Sequence, residues 1–116
     1  MPVSRLMTGS SVASIEKLEE RTYVLTMPMQ PVPAAEVLEA RGLEHAGHTW
    51  DQILELGFPA EVRRVELDGE ANVFMAYGTR PALKKVQAVL DRLTQDEQEL
   101  RACLERISSD GHAIEG

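Results

Sequence analysis

What this 116-residue chain does without narrows its class. It has one cysteine, Cys103, so no internal disulfide can form and a reducing cytoplasm suits it. No apolar run is long enough for a bilayer-spanning helix or a signal-peptide core, so cytoplasmic residence is the expectation. Positive charge is scarce: 12 basic residues stand against 19 acidic ones, a net charge of −7. That balance repels phosphate backbones and anionic lipid, and Arg63-Arg64 and Lys84-Lys85 read as isolated pairs. Neither nucleic acid nor a membrane is an expected partner, whereas a basic protein would be attracted.

Motifs of catalysis and cofactor binding are missing as well. Gly9-Ser10-Ser11 lacks the strand and second glycine of a Gly-x-Ser-x-Gly elbow, so hydrolase chemistry has no support. Neither Gly-x-Gly-x-x-Gly nor a phosphate-binding loop occurs, and Gly42, Gly47 and Gly57 read as helix stops. Aromatic residues make up only 4%, and the one Trp, both Phe and one of the two Tyr fall between Gly47 and Leu93.

What is present is ordinary globular composition, 43% hydrophobic and 27% charged, at the length of one domain spanning residues 1–116. Met1 to Ser11 is either a flexible lead-in or an added edge strand, since Val3, Leu6 and Met7 are available for burial. Val12 to Leu18 and Thr22 to Met27 flank the charged turn Glu19-Glu20-Arg21 and predict a β-hairpin; the competing reading is a helical turn over Ser14 to Glu20. Pro28, Pro31 and Pro33 end the second strand. A helix then runs from Pro33 through Ala40 to a left-handed stop at Gly42, and Thr49 is a candidate cap for a helix over Trp50 to Leu56 that ends at Gly57.

The period next changes to two. Val65 and Leu67 alternate with Arg64 and Glu66, Asp68-Gly69 reads as a turn, and Val73 to Tyr77 is apolar on both faces, with Phe74 and Met75 pointing to opposite layers. A helix opening at Pro81 carries the stripe Leu83, Val86, Leu90 and Leu93. A second, capped by Asp96 with Glu99 three residues on, carries Leu100, Cys103, Leu104 and Ile107 before Asp110-Gly111. Residues 110–116 read as a mobile tail. The fold class is α+β: two hairpins make a mostly antiparallel sheet of about four strands, packed on one face by helices, with two C-terminal amphipathic helices.

Candidate chemistry is thin. Glu44, His45 and His48 have the beginnings of metal-ligand spacing, but no further ligand lies close and no metal is expected. Asp51 and Glu55, four apart, share a helix face as a general acid–base pair would, or simply as solvated surface. Cys103 lies on an apolar stripe, as a buried small hydrophobe does. Trp50 is either a core anchor or a half-exposed interface anchor.

Several segments together carry a resemblance: Gly47-His48-Thr49-Trp50, Glu66-Leu67-Asp68-Gly69-Glu70, Val73-Phe74-Met75-Ala76-Tyr77-Gly78, Pro81-Ala82-Leu83, and the downstream Leu90 and Leu93. Over about residues 45 to 107, with a looser match at Val12 to Met27, the chain resembles bacterial immunity protein family 51, differing in having His48-Thr49 where an aromatic residue precedes the tryptophan. The resemblance implies a non-enzymatic protein, monomer or homodimer, that binds a cognate toxin domain and neutralises it by occlusion, without cofactor. Partner-contacting candidates are Trp50, Asp51, Glu55, Glu61, Glu66, Asp68 and Glu70. Two other readings stay open: an oligomeric scaffold or regulatory module pairing through the C-terminal stripes, and a small enzyme using His45, His48, Asp51 or Glu55.

Overall fold

In the computed structural model, which describes residues 11–114, the chain runs β1 (Ser14–Glu19), β2 (Thr22–Pro28), α1 (Pro33–Ala40), α2 (Gly47–Gly57), α3 (Pro59–Val62), β3 (Glu66–Leu67), β4 (Val73–Gly78), α4 (Arg80–Gln95) and α5 (Glu97–Ser109). The expected lead-in lies outside the described residues except for Ser11. There, the Ser11 hydroxyl and the Val12 N–H both donate to Asp91 Oδ1 on α4, at 2.7 and 2.9 Å.

The strands form one four-stranded sheet in the order β1-β2-β4-β3, with every pairing antiparallel. The first hairpin forms as expected, and the helical alternative over Ser14 to Glu20 does not. Its register shifts between Lys17 and Glu19, so Leu18 is an extra residue with a side chain 54% exposed. A bulge together with Glu16 and Lys17 on this free edge disfavours pairing with another chain.

The second hairpin turns later than the sequence suggests. Asp68 and Glu70 donate their N–H groups to Met75 O (2.8 Å) and Val73 O (2.7 Å), continuing the Glu66–Tyr77 and Leu67–Ala76 pairing. Asp68-Gly69 therefore lies within the ladder, and the chain reverses at Ala71-Asn72. Gly69 serves close packing instead: a Cβ there would fall on the carbonyl of Gly47.

The five described helices lie on one face of the sheet, the arrangement that lets an antiparallel sheet keep one face on the core. Leu25 and Met27 of β2 and Phe74 and Ala76 of β4 point into the core. They meet Leu38 of α1, Trp50, Ile53 and Leu54 of α2, and the stripes of α4 and α5. Those stripes, Leu83, Val86, Leu90 and Leu93 with Leu100, Cys103, Leu104 and Ile107, are at most 4% exposed. They close this chain's own core.

Helix ends follow mostly from local chemistry. Thr79 Oγ1 accepts from Ala82 N to cap α4, and Asp96 accepts from Gln98 N and Glu99 N to cap α5. Gly42 (φ 76°) and Gly111 (φ 87°) take the left-handed conformation that ends α1 and α5. Thr49 is not a cap: α2 begins at Gly47 after Ala46, and Thr49 sits in the first turn, fully buried, with its hydroxyl unpartnered. Nor is Gly47 a stop. It opens the helix, and a Cβ on it would fall on the carbonyl oxygen of Val73. The expected tail is partly tied down, because His112 N–H donates to Ile107 O and Ile114 packs against the core.

Candidate functional site

Alternation along the strands sends half of the sheet residues away from the helices. Glu16 of β1, Val24 of β2, Tyr77 of β4 and Glu66 of β3 form one row across this outer face. Ser14, Thr26, Met75 and Asp68 form the next, and Pro28, Val73 and Glu70 the third. Val24, Val73, Met75 and Tyr77 lie outside the core cluster formed with the helices, yet Val24 is only 7% exposed and the other three are half-buried. No described helix covers them. The result is an apolar strip rimmed by exposed carboxylates: Glu16 on one edge, and Glu66, Asp68 and Glu70 on the other.

The acidic edge is fixed from below by α2. A Cβ on Gly69 would fall on the Gly47 carbonyl, and one on Gly47 would fall on the carbonyl oxygens of Val73 and Glu70, so the first turn of α2 sits directly against the β3–β4 hairpin. Because Asp68 and Glu70 donate inward to β4, the Gly69 N–H points off the free edge, where Asp51 Oδ2 accepts it at 2.9 Å. Asp51 thereby closes an edge donor that another strand would otherwise seek. Its second oxygen is buried without a partner. Burial pushes the Asp51 carboxyl above its ordinary 3.8, opposed by the Gly69 hydrogen bond and the His48 imidazole and reinforced by Glu55 and Asp68.

Five of the seven sequence candidates thus come together: Glu66, Asp68 and Glu70 on the outer face, with Asp51 and Glu55 beside them. Asp51 and Glu55 do interact, but the bond to Gly69 N–H gives Asp51 a structural task. Trp50 is withdrawn from the contact surface. It is 0% exposed, its Nε1–H donates to His45 Nδ1 (3.2 Å), and His45 Nε2–H in turn donates to Gln30 O (2.9 Å). Glu61 lies apart on α3, lining a cleft with Arg63, Arg64 and Lys85. His48 pairs at the surface with Glu44 (3.6 Å), and among the described residues no group of three or more His, Cys, Asp or Glu is placed to hold a metal ion.

Sequence reasoning missed the apolar strip itself. Its signal is Val73 to Tyr77 being apolar on both faces, since alternation puts Val73, Met75 and Tyr77 opposite Phe74 and Ala76. It also missed that Arg63-Arg64 and Lys84-Lys85 are not isolated, since Arg63, Arg64 and Lys85 line one cleft.

These features define an α+β domain with a helix-backed antiparallel sheet whose outer face, covered by no helix among the described residues, is acidic at its rim. Among the described residues, no helix is long and apolar enough to cross a membrane. Comparison with known proteins adds no relative: no family model, curated protein or solved structure matches the chain.

Proposed function

We propose that this chain is a toxin-neutralising binding protein of the immunity type, acting in the cytoplasm by occlusion, with the outer sheet face docking on a basic toxin domain. The observation that carries the reading is the composition of that face. An apolar centre containing Met75 and Tyr77, residue types favoured at interfaces, is bordered by Glu66, Asp68, Glu70 and Glu16. A rim of one sign steers a partner of opposite charge, and occlusion needs no catalytic group. The resemblance noted in the sequence agrees with this reading. Its shared residues Gly47, Trp50 and Phe74 hold the scaffold, leaving partner choice to the surface.

The test uses the purified chain and the product of a toxin gene encoded beside it. A stoichiometric complex that abolishes the toxin's activity is expected. Changing Glu66, Asp68 and Glu70 together to lysine should weaken the complex by about a hundredfold or more, since like charges facing each other at an interface cost several kcal/mol. An unaltered melting temperature would show that the fold is intact. Failure of the native chain to bind at micromolar concentration ends the immunity reading; undiminished binding by the triple variant moves the docking surface elsewhere.

A further inference from the structure

The cations that look scattered in the sequence converge between α3 and α4. Arg63, Arg64 and Lys85 line a cleft of about 180 Å3 together with Thr79, Pro81 and Ala82. A second depression of about 400 Å3 shares Ala60, Glu61 and Lys85 with it and extends over Ala88 and Val89 to Arg92. The convergence is built into the fold. Gly78, the last residue of β4, runs so close to Arg64 that a Cβ there would stand 3.2 Å from the Arg64 carbonyl oxygen. This holds the Arg63-Arg64 segment beside the start of α4.

What sets these cations apart is that they share one cleft; the lack of an ion pair they have in common with Lys17, Arg21, Arg80 and Lys84. Arg41, Arg92 and Arg101 each pair with a glutamate at 3.2 to 3.6 Å. Among the described residues, Arg63, Arg64 and Lys85 have no such carboxylate, although the chain carries 19 acidic residues. Glu61 is the one carboxylate lining the two depressions, and it makes no ion pair within 4.0 Å. Three cations against one carboxylate leave a net positive field that an anion would relieve.

We propose that this cleft binds a small soluble phosphate-bearing ligand, its phosphate held by Arg63, Arg64 and Lys85 and its remainder lying over Ala88 and Val89. Guanidinium groups match phosphate oxygens two at a time, and a lysine adds a mobile point charge. The helix end itself offers little, because the Thr79 hydroxyl already takes the Ala82 N–H and Pro81 has none. Size favours a small ligand over a polyanion. The site is concave, the acidic edge begins at Glu66, and a net charge of −7 repels an extended phosphate backbone or an anionic bilayer. The proposal is independent of the toxin reading, since the cleft lies apart from the outer sheet face.

Calorimetric titration with inorganic pyrophosphate, and separately with ADP, at constant ionic strength tests it. Saturable binding of one equivalent is expected, with amide NMR shifts confined to residues 59–64 and 79–92. The double variant Arg63→Ala, Arg64→Ala should weaken binding by about tenfold or more, as expected for lost charged hydrogen bonds. Glu61→Gln, which removes the opposing carboxylate, should tighten it, and Lys17→Ala with Arg21→Ala on the β1–β2 hairpin should leave it unchanged. Absence of saturation, an equal loss in the hairpin variant, or preference for phosphatidylglycerol vesicles or duplex DNA over pyrophosphate would overturn the assignment.

Discussion

Asp51 shows how one side chain can link stability to the candidate surface. Its carboxylate is the acceptor for Gly69 N–H, yet burial raises its pKa above 3.8. A raised folded pKa means the folded chain holds a proton that the unfolded chain has released. The ionised group therefore weighs against folding at neutral pH, and this penalty fades as pH falls through the raised value towards 3.8. Asp51→Asn keeps an acceptor for Gly69 and removes the charge. It should be more stable than the native chain in urea melts at neutral pH, with the two curves converging as the medium is acidified towards 3.8. A gap that is constant or widens on acidification would contradict this account. Asp51→Ala has no acceptor, so the Gly69 amide should exchange with solvent faster in that variant alone.

Helix α2 carries the same logic to the scale of an element, because a glycine at each end lets it touch a neighbour. At its C-terminal end, a Cβ on Gly57 would stand 2.9 Å from Cys103 Sγ of α5. Replacing glycine by alanine within a helix ordinarily gains up to about 1 kcal/mol. Here overpacking against a buried thiol should outweigh that gain, giving a net loss of about 1–3 kcal/mol for Gly57→Ala. Adding Cys103→Ala should return part of the loss, so that the double variant is more stable than the sum of the singles predicts in a denaturation cycle. Strict additivity would mean that the two residues do not meet.

The same helix marks how far the sequence could be read. Periodicity placed α2, α4 and α5 and both hairpins, because each needs only its own apolar spacing and local caps such as Asp96. It failed where the deciding partner is remote in sequence. Gly47 reads as a stop until Val73 and Gly69 are seen against it, and Thr49 as a cap until its hydroxyl is seen buried. Asp68-Gly69 has the composition of a hairpin turn, yet its glycine answers to α2. The candidate surface was half legible: the carboxylates of Glu66, Asp68 and Glu70 alternate visibly, but which face of Val73 to Tyr77 the helices leave open is a property of packing.

Charge distribution decides whether the acidic rim is more than solvated surface. Glu66, Asp68 and Glu70 project from one face of one strand about 7 Å apart, well inside the screening length of dilute buffer. Like charges this close on one strand repel, and none of these three has an ion-pair partner among the described residues. Changing them to glutamine, asparagine and glutamine should therefore raise the melting temperature by a few degrees at low salt. The rise should shrink as ionic strength approaches about 0.15 M, where screening already acts within about 8 Å. One charge suffices to guard an edge strand, so a measured gain on neutralising all three would point to a use for their field. If the neutral variant is more stable and binds the toxin more slowly, with less dependence on salt, the rim serves encounter with a basic partner. If stability and binding are both unmoved, these carboxylates are solvated surface and the docking face must be sought on the helical side.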